Sequence, residues 1–398
     1  MTLVEFVPPT PHPLWKLCLQ MGITDVIVKV NPSLTGLSDP WRLETLRRIV
    51  DRLASAGLNV VGLEGDPFDM APIKEYGSTG ETPVVPVREG RAVARPEALD
   101  HYCELLESMG ALGIKLLCYN FMVGKGWSRT GVREGRGGAK ATYFSLNDFS
   151  HKERKEHKDA FAAGSLGVSE NVASASLPDS KTPSGESNIR SAEQVWANYE
   201  YFIKAVMPTA EKCGVRMALH PDDPCLPSLG GYARIFGSIE AYDRAYAIYP
   251  SPSNAVTFCQ ANFKLMEGNG EWGTGNGFSH KERKEHKDFA SSASFAAKIV
   301  TLEDAARHFA KRIAFIHIRD VEGTKEDFTE LFHDQGDTDQ FALMRTYREI
   351  GLDVPVRGDH VPEMAYDRVL TPDGTPGYFT LGRLFANGYL KALLRGSE

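Results

Sequence analysis

The sequence predicts an α/β chain folded as a single (β/α)8 barrel, a TIM barrel, with long loop insertions at its catalytic face. Three observations carry this expectation. Short β-branched runs alternate with longer helical patterns along all 398 residues. About seven such units occur, which fits a closed parallel barrel better than an open sheet. No GxGxxG opens a helix after the first predicted strand, which disfavours a dinucleotide-binding fold.

The elements follow in order. The first predicted strand is TDVIVKV, Thr24–Val30. A helix opened by Ser38, Asp39 and Pro40 carries Leu43, Leu46, Val50 and Leu53 on one face and ends at Gly57. Strand LNVVGLE follows at Leu58–Glu64, then a helix with Leu99, Cys103, Leu106 and Met109, then strand IKLLCYN at Ile114–Asn120. A Gly-, Ser-, Ala- and Lys-rich excursion spans about 121–191, and its lack of periodicity reads as a functional or disordered loop. A helix resumes at Ala192, with Val195, Tyr199, Phe202 and Val206 in phase. Strands are predicted at Arg216–His220 and Asn254–Cys259, and a second excursion at about 260–294. Strands at Ile313–Ile318 and Val354–Val356 and a helix near Leu381–Leu394 complete the chain.

An 11-mer, FSHKERKEHKD, occurs twice, at Phe149–Asp159 and Phe278–Asp288. Its histidines, His151, His157, His280 and His286, invite a metal reading. The mixed charges favour solvated helical turns. Both copies fall in excursions, so neither is expected to take part in the chemistry.

A net charge of −7 gives no electrostatic case for nucleic acid or an anionic membrane. No run of 18 apolar residues suggests a membrane span. The N-terminal MTLVEFVPPTPHPLW does not read as a signal peptide. The six cysteines include no CxxC pair, which suggests a reducing compartment. A cytoplasmic protein is expected, and a homo-oligomer.

Barrel chemistry sits at the C-terminal ends of the strands. The fourth predicted strand ends in His220, the fifth in Cys259, the sixth carries His317, and the seventh is followed by Asp359. Imidazole, thiolate and carboxylate together suit a divalent transition metal with positions open for substrate oxygens. Each residue alone has an ordinary structural use: a hydrogen-bonded histidine, a small apolar filler, a helix cap. Four ligand types on four consecutive strands make the case. Glu64, Asn120, Trp127, Arg129 and Arg319 share this rim as substrate-binding candidates, and Arg357 is suited to clamping a carboxylate.

On these residues the chain resembles the mannonate dehydratases, metal-dependent barrels of the xylose-isomerase-like class. The resemblance covers most of the chain. It rests on IKLLCYNFMVGKGWSRT (Ile114–Thr130), MALHPDDP (Met217–Pro224) and FIHIRDVEG (Phe315–Gly323). FHDQGDTD (Phe332–Asp339), RGDH (Arg357–His360) and GYFTLGRL (Gly377–Leu384) continue it. It implies that His220, Cys259, His317 and Asp359 bind Mn(II) or Fe(II). It also implies that His360 and Tyr378 are the acid/base pair, with Arg357 near a small-molecule sugar acid. The chain has Gly126 where the family usually has an acidic residue, and Gly358 where it usually has proline. The implied reaction is dehydration of D-mannonate to 2-keto-3-deoxy-D-gluconate. Two alternatives stand beside it: an isomerase or epimerase of the same barrel class, and a non-catalytic sugar-binding homologue.

Overall fold

The structure is a computed structural model and describes residues 1–76, 95–124, 126–152, 190–266, 301–372 and 374–397. Its first strands are β1 (Thr2–Leu3), β2 (Glu5–Val7), β3 (Asp25–Val28), β4 (Asn59–Glu64) and β5 (Leu116–Tyr119). Next come β6 (Gly131–Glu134), β7 (Lys140–Ser145), β8 (Arg216–Leu219), β9 (Ser228–Leu229), β10 (Tyr232–Ala233) and β11 (Asn254–Cys259). The last are β12 (Ile313–Ile318), β13 (Val321–Thr324), β14 (Asp327–Glu330) and β15 (Pro355–Gly358).

One sheet runs β1-β15-β12-β11-β8-β5-β4-β3-β2, with every pairing parallel. Its two ends, β1 and β2, are halves of one N-terminal strand flanking Val4. The first half pairs with β15 and the second with β3, so the sheet closes into an eight-stranded barrel. This strand corrects the sequence reading, which began the sheet at Thr24. Each half is only two or three residues long and Pro8 and Pro9 follow at once, so no extended β-branched run advertises it. His220, Cys259, His317 and Asp359 therefore belong to the fifth to eighth barrel strands, not the fourth to seventh.

Helices pack around this barrel. Helix Leu43–Ser55 buries Leu46, Ile49 and Leu53, the i, i+3, i+7 stripe of an amphipathic helix. Helix Ala192–Cys213 begins where the Ser191 side chain accepts from the Gln194 amide, and ends at Gly214, whose φ of 64° suits glycine. Among the described residues no helix is long and apolar enough to cross a membrane.

The excursions hold more order than their composition announced. Residues 131–145 supply β6 and β7, which join β13 and β14 in a four-stranded antiparallel sheet, β13-β14-β7-β6. Phe144, Leu226, Leu229, Ala261, Leu265, Val321 and Phe328 form its apolar core. This sheet stands over the barrel's C-terminal rim. Of the twin 11-mers, only Phe149–Lys152 lies within the described residues; the rest of the first copy and all of the second lie outside them.

Candidate metal centre and active site

Side chains alternate in and out along a strand, so every second residue faces the barrel axis. The inward layer at mid-height is apolar: Val4, Ile27, Leu116, Cys118, Ala218, Ala255 and Phe315 all pack together. Two residues further along their strands, the inward positions turn polar. Ala218 leads to His220, Phe315 to His317, and Ala255 to Thr257 and then Cys259. Register ties the row together, because Cys259 pairs with His317 and His317 with Arg357. The amide of Asp359 still donates to the Ile318 carbonyl, which carries its carboxylate to the same rim.

The structure brings His220, Cys259, His317 and Asp359 together, with one ligand atom from each lying within 4.8 Å of all the others. Asp359 Oδ2 lies 3.9 Å from Cys259 Sγ and 3.8 Å from His317 Nδ1. These separations exceed good hydrogen bonds and resemble those of ligands sharing one ion, roughly 3–3.6 Å for bonds of 2.0–2.3 Å. His317 is buried, yet neither ring nitrogen has a hydrogen-bond partner among the described residues. Its nearest polar groups are carboxylate oxygens of Glu64 at 3.6 Å and Asp359 at 3.8 Å, too far for good hydrogen bonds, and coordination would satisfy the ring. His220 Nδ1 lies 2.8 Å from the Pro221 carbonyl. A carbonyl can only accept, so Nδ1 carries the proton and Nε2 keeps its lone pair for a metal. The donor set thus fits a divalent transition ion.

Two charged assemblies surround this cluster. Arg357 donates to both oxygens of Glu64, at 3.1 and 2.6 Å, and lies 2.9 Å from Asp359 Oδ1. Burial opposes the charge on Glu64, but Arg357 and His317 bring its carboxyl down to about 2. Asp359 is likewise held well below the carboxylate range: burial acts against it, and His360, Arg357, His317 and Arg319 override burial. The second assembly is almost sealed from solvent. Arg129 grips Asp223 through two bonds of 2.8 and 2.9 Å and also donates to Glu330. Arg319 donates to Glu330 at 2.7 Å, to Asp223 at 2.8 Å and to Asn262 at 2.8 Å.

Beside these, His360 Nδ1 lies 3.0 Å from Glu330 Oε1 and Nε2 lies 3.0 Å from the Tyr378 phenol. Burial and the nearby Asp359 carboxylate push the Tyr378 phenol well above the ordinary tyrosine range, against the pull of Arg357.

A model of the family described as D-mannonate dehydratase (UxuA) matches residues 83–271 and 291–398, most of the chain. The chain belongs to the D-mannonate dehydratase family. Its members are metal-dependent hydro-lyases that act on a sugar acid. A mannonate dehydratase of Streptococcus agalactiae is 26% identical over 403 residues, covering 98% of this chain and 97% of the relative. One from Brachyspira hyodysenteriae is 26% identical over 393 residues, covering 95% and 92%. Among solved structures, mannonate dehydratase from Streptococcus suis serotype 2 superposes with a TM-score of 0.69 at 22% identity, covering 100% of this chain and 93% of that one. The IOLI protein with a bound zinc atom gives 0.51 at 12% identity, covering 100% and 99%. At such identities the superpositions speak for the fold, a xylose-isomerase-like barrel.

Within this dehydratase fold the remaining sequence candidates take distinct places. Trp127 is partly exposed, its ring 5.0 Å from that of His360, with the Arg129 guanidinium 4.8 Å from its centroid. Asn120 accepts from Lys74 Nζ at 3.1 Å and from the Met122 amide at 3.1 Å. Arg319 and Arg129 are committed to Asp223 and Glu330, and Arg357 to Glu64 and Asp359. Arg319 still keeps one donor nitrogen, Nη2, buried and without a hydrogen-bond partner among the described residues. Gly126 has nothing within 4 Å of where a Cβ would stand, whereas Gly358 faces His333, Ala386 and Leu390 at 3.3–3.5 Å.

Sequence reasoning missed the roles of Asp223 and Glu330. The available signal was charge balance. Arg129, Arg319 and Arg357 on one buried rim demand carboxylates, and HPDDP supplies only Asp222 and Asp223 nearby. Glu330 reaches the rim from the antiparallel sheet, which periodicity did not reveal.

Proposed function

We propose that this chain dehydrates D-mannonate to 2-keto-3-deoxy-D-gluconate and water, using Mn(II) or Fe(II) held by His220, Cys259, His317 and Asp359. In this reading the chain is one barrel domain over residues 1–398, with insertions near 121–191 and 260–294, and acts as a homo-oligomer. The observation that carries it is the convergence of a four-residue donor set, within 4.8 Å, beside a His360–Tyr378 pair 3.0 Å apart.

Dehydration removes a proton from the carbon α to a carboxylate and a hydroxyl from the β carbon. When bound, a divalent cation supplies positive charge to oxygens on which negative charge builds. His360 takes the α-proton through Nε2. The electron pair of that C–H bond becomes the new C=C bond as the β C–O bond breaks. Tyr378 gives its phenol proton to the departing oxygen, and water leaves. The resulting enol rearranges to the 2-keto acid. The 3.0 Å bond between the two side chains then returns the proton from His360 to Tyr378, restoring both for the next turnover. A cavity of about 410 Å³, lined in part by Trp127, Arg129, Thr130, Thr375 and Pro376, adjoins the pair through Trp127, whose ring lies 5.0 Å from that of His360, and offers room for the rest of the sugar chain.

The test is a screen of hexonic and uronic acids with Mn(II) or Fe(II), scored for 2-keto-3-deoxy acid. The expected result is product from D-mannonate. An isomer or epimer without 2-keto-3-deoxy acid would favour the isomerase reading. Metal binding with no turnover on any sugar acid would favour a binding protein.

A further inference from the structure

Both nitrogens of His360 are spoken for. Nε2 meets the Tyr378 phenol, and Nδ1 meets Glu330 Oε1, each at 3.0 Å; Arg129 Nη2, 3.4 Å from Nδ1, and Asp359 Oδ1, 3.6 Å from Nε2, stand farther off. Glu330 is wholly buried and ionised by its surroundings: burial opposes the charge, but Arg319, Arg129 and His360 hold the carboxyl down to about 2. An ionised carboxylate has no proton to give, so the hydrogen in the Glu330–His360 contact belongs to Nδ1. Glu330 also comes from outside the barrel. It ends β14, whose partners β13 and β7 come from the segments after β12 and β5.

We propose that Glu330 is a positioning residue for the proton-transfer pair: it accepts the Nδ1–H of His360 and so presents the free lone pair of Nε2 to Tyr378 and the reacting carbon. The two arginines have a stated part in this. Arg319 occupies Glu330 Oε2 at 2.7 Å and Arg129 shares Oε1, so the carboxylate cannot rotate away from the imidazole. The antiparallel sheet is thereby part of the active site, because it delivers the group that orients the base. The turnover part of this inference rests on the dehydratase reading; the tautomer part does not.

Two measurements test it. Neutron diffraction or nitrogen-detected NMR on the full-length wild-type protein at pH 8 should find the His360 proton on Nδ1. A proton on Nε2 with Nδ1 bare would overturn the proposal, whatever the substrate. Glu330→Gln keeps the shape but can turn its amide N–H groups toward Nδ1 and so permit the wrong tautomer. Its kcat should fall about 10²-fold or more, as wrong-tautomer variants of other histidine bases do, with KM and metal content unchanged. Glu330→Asp, which keeps an acceptor, should recover part of the loss. Lower stability with normal kcat per folded molecule in Glu330→Gln would mean a purely structural role and overturn the proposal. If that variant does not fold, the wild-type tautomer decides. If the wild type turns over no sugar acid, the dehydratase reading fails and the tautomer still decides this one.

Discussion

His360 Nε2 lies 3.0 Å from the phenol oxygen of Tyr378, although the two residues are 18 positions apart in the chain. His360 lies two residues beyond the end of β15, and Tyr378 returns to it just before helix Thr380–Gly396. A base and an acid in direct contact can exchange the proton that each turnover displaces.

Single changes at this pair should separate chemistry from binding. His360→Asn and Tyr378→Phe should each lower turnover by about 10²–10⁴-fold, the usual cost of losing a positioned acid or base. Metal content and the thermal transition should be nearly unchanged. Steady-state rates on the identified substrate check this, and a near-normal rate in either variant would remove that residue from the proton transfers.

Cys259→Ser should weaken metal retention more than it harms the fold. The hydroxyl is close to the thiol in volume but is a far poorer anionic ligand. Elemental analysis after gel filtration reads the outcome. Full occupancy in the variant would make Cys259 a core residue only.

Much of the metal cluster was legible in the sequence, and for a plain reason. Strands β8, β11 and β12 are buried on both faces, so RMAL, NAVTFC and IAFIHI stand out as apolar runs, and a polar residue at the end of each is conspicuous. The N-terminal strand was not legible, because it is short, split at Val4 and followed by prolines. Nor was the antiparallel sheet. GVRE, VEGT and DFTE are polar and carry little alternation, and β7 (ending at Ser145) finds β14 (beginning at Asp327) across the whole of residues 146–326. Glu330 shows the limit most clearly. In sequence it is one acid among 52 Asp and Glu residues, and only assembly of the sheet on the barrel buries it between Arg129, Arg319 and His360.

Arg319→Met should destabilise the protein strongly. It leaves Asp223 and Glu330 buried with a partner fewer, and breaking such a buried network from one side costs about 3–5 kcal/mol. Denaturant unfolding measures it. A loss below about 1 kcal/mol would mean that water reaches these carboxylates.

Acid should unfold the protein through the same carboxylates. Glu64 and Glu330 have folded-state values near 2, and Asp223 is held still lower by Arg129 and Arg319 against its burial. Ordinary carboxyls titrate near 4, so between about pH 4.5 and 2 the unfolded chain binds more protons than the folded one. Stability is then fully present above about pH 4.5 and is lost as pH falls toward 2. Denaturant midpoints measured across this window should fall steadily. A flat profile would show that these groups are not ionised in the folded protein.

In the proposed function one divalent ion on four barrel strands serves a sugar-acid dehydration. It is tested most directly by stripping the protein of metal and titrating Mn(II) back while following 2-keto-3-deoxy acid from D-mannonate. Without metal no product should form, and in the wild type the rate should rise and saturate at one ion per chain, with no such rise in Asp359→Ala. Product formation that is indifferent to metal, or that Asp359→Ala sustains at the wild-type rate, would contradict it.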